Sequence, residues 1–328
     1  MIDVDATGPF GTLPQYGLEY WPKGAKLIQV DLNSRNLGLT RPVDVAIQGD
    51  SALAASDLLA RLRAKGDSGV ASSATRQQRL SAIARYQSEW AKELDNMTFG
   101  GPSGTDSLCK PRAALRALEK ALPQDAIVAT DIGNVCSVSN SYLRFEQPRS
   151  FLGAMTFGNC GYSFPAAMGA KVAQPNRPVF AYAGDGAWGM SLNEVLTCVR
   201  ENIAVTAVVF NNQQWGAEKK NQVLWFGDRY VGSNLVNPSF AEVGIAMGAE
   251  GIRVTNVNQI GDAVAAATAN QRAGKATVLE IMCTRELGDP FRRDAMRLPQ
   301  RLLDKYKHTS LTSESPTGQP TDIQVSVK

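Results

Sequence analysis

Val179-Phe180-Ala181-Tyr182-Ala183 runs directly into Gly184-Asp185-Gly186, and after 24 intervening residues the pair Asn211-Asn212 follows. A helix-like stretch succeeds the first turn. A second apolar run, Ala204 to Phe210, ends at the asparagine pair. The order is strand, acidic turn, helix, strand, amide turn. It predicts two neighbouring parallel strands whose turns sit side by side at their carboxyl ends, the edge where open α/β sheets bind ligands.

The same alternation extends outward. Strands are predicted over 126–130, 179–183, 204–210, 251–254 and 277–282, with helices between them, giving a doubly wound parallel sheet for residues 108–307. Residues 1–65 carry two further strands, 26–31 and 43–48, and an amphipathic helix over 51–63. Leu53, Leu58, Leu59 and Leu62 share one face of that helix. Two strands and one helix read as the C-terminal part of a Rossmann-like middle domain. Residues 66–107 form a polar connection bounded by Gly66-Asp67-Ser68-Gly69 and Gly100-Gly101-Pro102-Ser103-Gly104, with a surface helix over 74–94. Residues 308–328 are rich in Ser, Thr and Pro and are expected to be disordered.

Composition bounds the partners. The 328 residues are 44% hydrophobic and 20% charged, ordinary for a globular chain with a core. A net charge of +3 gives no argument for nucleic acid. There is no run of 18 apolar residues and no signal-peptide pattern at the start, so neither a membrane span nor export is expected. Cys109, Cys136, Cys160, Cys198 and Cys283 form no CxxC pair, which points to reduced thiols in the cytoplasm.

The carboxylate of Asp185 and the amide oxygen of Asn212 are hard oxygen donors. They suit an octahedral Mg²⁺ that also takes diphosphate oxygens. With this spacing and context the chain resembles the thiamine-diphosphate (ThDP) enzymes. The resemblance implies ThDP and Mg²⁺ as cofactors and Asp185, Asn212 and Gln214 as metal ligands, the last through its backbone carbonyl. It gives Gly184 and the amides of Gly186 and Ala187 to the diphosphate, at a helix N-terminus. Asp131-Ile132-Gly133-Asn134 resembles a second diphosphate turn, which implicates Ile132, Gly133 and Asn134. Gly158-Asn159-Cys160-Gly161 resembles the loop that carries the aminopyrimidine ring. There the Gly158 carbonyl accepts from the ring's amino group, and Cys160 stands where a bulkier apolar residue usually supports the bent cofactor.

Three further stretches are similar to the sulfoacetaldehyde acetyltransferases: Phe10 to Gly17, Gln214 to Gln222, and Cys283 to Arg293. One departure is Asn211, where that family is expected to carry His. The resemblance implies conversion of sulfoacetaldehyde and phosphate to acetyl phosphate and sulfite, within sulfonate (taurine) catabolism. Both substrates are anions, so fixed positive charge is required, and Lys219, Lys220, Arg285, Arg292 and Arg293 are the candidates. The resemblance also implies a glutamate that activates the cofactor from a separate pyrimidine-binding domain, in cis upstream or on another chain of a homo-oligomer (dimer or tetramer). Glu194 is not that residue. The chain is therefore expected to be the C-terminal half of an enzyme, inactive without the other half. An acetolactate-synthase-like carboligase and a non-catalytic module holding Mg²⁺-diphosphate are the alternative readings.

Overall fold

The computed structural model describes residues 2–4, 24, 26–38, 42–66, 73–99, 108–154 and 158–287. The Phe10–Gly17 stretch, Arg292, Arg293 and the 308–328 tail lie outside the described residues.

Six parallel strands form the larger sheet: β4 (Ile127–Thr130), β5 (Phe151–Gly153), β6 (Val179–Gly184), β7 (Thr206–Asn211), β8 (Glu250–Val254) and β9 (Thr277–Met282). Their order is β5-β4-β6-β7-β9-β8. Side chains alternate between two buried faces, which is why the strands read as continuous apolar runs. Val128, Phe180, Tyr182, Val208, Phe210, Leu279 and Ile281 pack with α3 (Pro111–Ala121), α4 (Asn134–Ser139) and α10 (Ile260–Arg272). Ile127, Ala129, Val179, Ala181, Ala183, Ala207, Val209 and Val278 pack with α5 (Ser163–Ala173), α6 (Asp185–Trp188), α7 (Glu194–Arg200) and α9 (Phe240–Ala246). The layers are helix, sheet, helix, as the alternation predicts. After β4 the chain goes outward to β5 and then returns to β6 on the other side. The crevice for a ligand therefore opens at the carboxyl ends of β4 and β6, where the strand order reverses.

The helix expected after Gly184 is two helices. α6 is four residues long, and α7 starts only at Glu194. Gly186 and Gly189 have low helix propensity, and the backbone leaves the helix just after Gly189. Two three-residue strands escaped the sequence reading, β5 and β1 (Ile2–Val4). Three residues are too few to show an alternating pattern.

β1 joins β2 (Ile28–Asp31) and β3 (Val45–Gln48) in a separate parallel sheet. Helix α1 (Ser51–Ala64) follows β3, its N-terminus capped by the Asp50 carboxylate, which accepts from the amides of Ala52 and Leu53. The helix forms as expected, but Leu53, Leu58, Leu59 and Leu62 are all exposed. Three short strands and one helix offer too little surface to cover that face. Helix α2 (Ser73–Phe99) runs past the expected end at 94, and its last turn is not a surface element. Leu94 and Thr98 are buried there, and the Thr98 hydroxyl lies 2.6 Å from the Leu94 carbonyl and 2.8 Å from the Tyr142 hydroxyl.

Candidate functional site

Three turns leave the carboxyl ends of the adjacent strands β4, β6 and β7. They meet the 158–161 loop around a cavity of about 570 Å³. Ile132, Gly133, Asn134, Gly158, Cys160, Gly184, Asp185, Gly186, Ala187, Asn212 and Gln214 all line it. The four sequence-predicted segments are thus brought together. Gly133 and Gly158 have φ of 129° and 75°, a region that favours glycine, and a Cβ on either would meet nothing within 4 Å. Their bare backbones border open space that a side chain would occupy.

Gly186 is a different case. A Cβ there would lie 2.7 Å from the Trp215 indole, which lines the same cavity. Gly186→Ala is expected to push the indole aside, with a loss of about 1–3 kcal/mol in stability. Thermal unfolding, together with the tryptophan emission spectrum, checks this.

Asp185, at the start of α6, is 2% exposed, so it does not sit on a surface turn. Burial pushes its carboxyl up to about 6, against lowering hydrogen bonds led by the Gly186 amide and the Asn237 side chain. The Gly186 amide donates to Oδ1 at 3.0 Å, and Asn237 Nδ2 donates to Oδ2 at 2.8 Å. Asn237 Nδ2 also donates to Asn211 Oδ1 at 3.1 Å. Asn211 Nδ2 in turn donates to Glu280 Oε1 at 2.7 Å. Glu280, in the middle of β9, is fully buried and also accepts from the Ser239 hydroxyl and the Ala241 amide. A buried polar chain therefore runs from the central sheet to the Asp185 carboxylate. Asn211, the departure from the expected His, is its middle link.

Asn212 and Gln214 are buried on either side of Gln213, whose φ is +55°. A left-handed non-glycine residue costs of order 1–3 kcal/mol and is held only by its surroundings. Here Leu235 donates its amide to the Gln213 carbonyl at 2.9 Å, and the Trp215 amide donates to the Ser233 carbonyl at 2.8 Å. Asp185, Asn212 and the Gln214 backbone supply oxygen donors of the kind a hard divalent cation takes.

Two of the cation candidates have side-chain partners at the turn after β7. Lys219 Nζ donates to Gln214 Oε1 at 3.1 Å and to Asn234 Oδ1 at 3.2 Å, and lies 4.9 Å from the Tyr230 ring centroid. Arg285 donates to Gln213 Oε1 at 3.1 Å, and its carbonyl accepts from Gln214 Nε2 at 2.9 Å. Both brace the 213–214 turn. Neither these two nor Lys220 is among the residues lining the cavity. Cys160 lines it half-buried, and its thiol is pushed up by burial first and by the charges of Asp131 and Glu218 next. It faces the cavity as a neutral, small side chain.

The sequence reading missed Trp215, Glu218 and Gln222 in the cavity wall, and Asn237 and Glu280 behind it. Glu280 had a signal: a lone carboxylate inside the apolar run Thr277–Met282. Asn237 had none, because it reaches Asp185 from a loop 52 positions away in sequence.

Residues 131–281 match the family described as thiamine pyrophosphate enzyme, C-terminal TPP binding domain. The chain is 51% identical over 312 residues to a sulfoacetaldehyde acetyltransferase of Castellaniella defragrans, covering 92% of this chain and 52% of that protein. It is 51% identical over 316 residues to one of Alcaligenes xylosoxydans xylosoxydans, with 92% and 52% covered. An acetolactate synthase of Mycobacterium bovis is 29% identical over 252 residues, with 75% and 39% covered. The chain spans about half the length of the sulfoacetaldehyde acetyltransferases it matches. The match covers all three strand-end turns and the cavity they form, so residues 131–281 are similar to the TPP binding domain of the thiamine pyrophosphate enzymes.

Proposed function

We propose that this chain is the diphosphate-binding half of a sulfoacetaldehyde acetyltransferase, holding ThDP through Mg²⁺. The observation that carries the cofactor reading is the convergence of Asp185, Asn212 and Gln214 with the bare glycine backbones on one cavity. The likeness to the acetyltransferases supports the choice of reaction. Asp185, Asn212 and the Gln214 carbonyl would hold the ion, which would supply positive charge against the diphosphate. The turns at 132–134 and 184–187 would take the diphosphate, and Gly158 and Cys160 the ring end. When bound, the cofactor supplies the nucleophile and electron sink that the side chains lack.

In the proposed reaction, sulfoacetaldehyde and hydrogen phosphate give acetyl phosphate and hydrogen sulfite. The C–S bond breaks and a C–O bond to phosphate forms. The aldehyde carbon is oxidised to the acyl level while the methylene carbon is reduced to methyl. Lys219, Lys220, Arg285, Arg292 and Arg293 stay the candidates for the positive charge that both anions require, and Lys219 and Arg285 also brace the 213–214 turn. A separate pyrimidine-binding domain and assembly into a homo-oligomer complete the site. The five free cysteines, four of them buried, support a cytoplasmic setting.

Activity of the full-length relative carrying this half tests the assignment. Sulfite and acetyl phosphate are expected from sulfoacetaldehyde and phosphate. Acetolactate formed from pyruvate at the greater rate would instead establish the carboligase reading, which the acetolactate synthase likeness favours.

The Asn237 contact gives a more local test. Asn237→Ala leaves Asp185 Oδ2 without its 2.8 Å donor. It is expected to weaken Mn²⁺ binding in the presence of ThDP roughly tenfold, equivalent to about 1.4 kcal/mol. Electron paramagnetic resonance of free Mn²⁺ measures this. Unchanged Mn²⁺ affinity would remove Asn237 from the metal site's support.

A further inference from the structure

Asp131 directly follows β4 and is only 4% exposed, and no ion pair reaches it among the described residues. Its carboxylate is instead filled by three backbone amides. Oδ1 accepts from Ile132 at 3.0 Å and from Gly161 at 3.0 Å, and Oδ2 accepts from Ser163 at 2.9 Å. Ile132 belongs to the diphosphate turn. Gly161 and Ser163 lie some 30 positions further on, just after the cavity-lining Cys160 and at the first residue of α5. One buried side chain therefore ties together two segments that the sequence places far apart.

The far segment needs such a tie. Gly161 has φ of 82°, and a Cβ there would lie 3.0 Å from Met190 Cβ, so the backbone is pressed close to the residues after α6. The neutral Asn side chain has one acceptor oxygen and one donor nitrogen, whereas Asp presents acceptors on both sides. Three N–H groups arriving from two sides therefore require the carboxylate. Burying a charge with no counter-ion is costly, and these hydrogen bonds offset only part of the cost: burial still holds the Asp131 carboxyl above the usual carboxylate range.

We propose that Asp131 is a positioning residue for the cofactor. It sets the distance between the Ile132–Asn134 turn and the Gly158–Cys160 segment, so that the diphosphate end and the ring end of one ThDP molecule are accepted together. This rests on the reading that the Gly158–Cys160 segment carries the aminopyrimidine ring. Asp131 itself touches neither end. Its effect falls on ligands long enough to span both segments, and a ligand that fills only the diphosphate turns is indifferent to it.

The experiment compares two probes on the purified chain in excess Mg²⁺: ThDP, and inorganic pyrophosphate, which lacks the ring. Binding is followed by calorimetry, and amide exchange of the segment around Gly161 and Ser163 by mass spectrometry without ligand. For Asp131→Asn, ThDP affinity is expected to fall roughly tenfold or more while pyrophosphate affinity changes less than about threefold. Exchange at Gly161 and Ser163 is expected to rise. Equal losses for the two probes would overturn the proposal in favour of a purely structural aspartate. So would faster exchange with ThDP affinity intact. Wild-type chain binding ThDP no better than pyrophosphate would overturn the ring-loop reading itself, and the proposal with it. Asp131→Glu keeps the charge but moves it by one methylene. It is expected to show the same split between probes, and it provides the reading should the asparagine variant fail to fold.

Discussion

Asp185→Asn is expected to abolish Mg²⁺-dependent retention of ThDP and, in the same protein, to stabilise the metal-free fold. The loss follows from chemistry. The side chain keeps its shape but gives up the only charge among the three proposed ligands, and affinity is expected to fall roughly a hundredfold or more, about 2.7 kcal/mol. The gain follows from burial, and is offset in part because the asparagine NH2 faces one of the two donors, the Gly186 amide or Asn237 Nδ2, that Asp185 accepts from. A carboxyl 2% exposed and moved from 3.8 to about 6 disfavours its charged form in the fold. The displacement corresponds to about 3 kcal/mol by linkage. Between these two values the folded chain binds more protons than the unfolded one, so stability falls as pH rises from near 4 through 6. The cost is fully present above 6 and absent below 3.8. The apo wild type is therefore expected to melt at a lower temperature at pH 8 than at pH 5 through this group, and the asparagine variant is expected to show less of that slope. Thermal melts of both proteins at the two pH values, with equilibrium dialysis of ThDP and Mg²⁺, measure both effects. A variant that bound the cofactor as tightly as wild type would remove Asp185 from the metal.

The expected opposition between stability and binding explains how much of this site could be read in the sequence. Asp185 and Asn212 were legible because each follows an apolar strand directly. A polar residue at the carboxyl end of a buried parallel strand has one place to go. The turns at 132–134 and 158–160 were read through their resemblance to family turns, and their glycines take φ of 129° and 75°. The residues that hold the ligands in place were not. Glu280, Asn211 and Asn237 come from a strand, a strand end and a loop, and their contact is a product of the strand order β6-β7-β9, which no local pattern encodes. Asp131 was visible as a strand-end aspartate, but its partners at Gly161 and Ser163 were not. Lys219, one of five candidates for the positive charge two anions require, gave no sign in the sequence of its hydrogen bonds to Gln214 and Asn234. The leucines of α1 show the limit of periodicity, which reports that a helix has an apolar face and not what covers it.

The second large effect concerns turnover. These 328 residues alone are expected to bind Mg²⁺-ThDP and release no sulfite, and to release it once a pyrimidine-binding domain from a close relative is added. Activation of the cofactor calls for a carboxylic acid at the pyrimidine ring, held in a dry setting that raises its pKa. The described cavity offers two acids, Asp185 and Glu218. Asp185 belongs to the metal in the proposed site. Glu218, in the first turn of α8 (Gly216–Phe226), is exposed. Its charge acts on Cys160, so it stands near the ring end without the burial that an activating acid needs. Sulfite release is measured with chain, phosphate, Mg²⁺ and ThDP, with and without the complementing domain. In the complemented protein Glu218→Gln is expected to retain turnover, because the proposed function puts the activating acid on the other domain. Steady sulfite release by the 328 residues alone, lost in Glu218→Gln, would show that this glutamate is the activating acid and that the half-site reading is wrong.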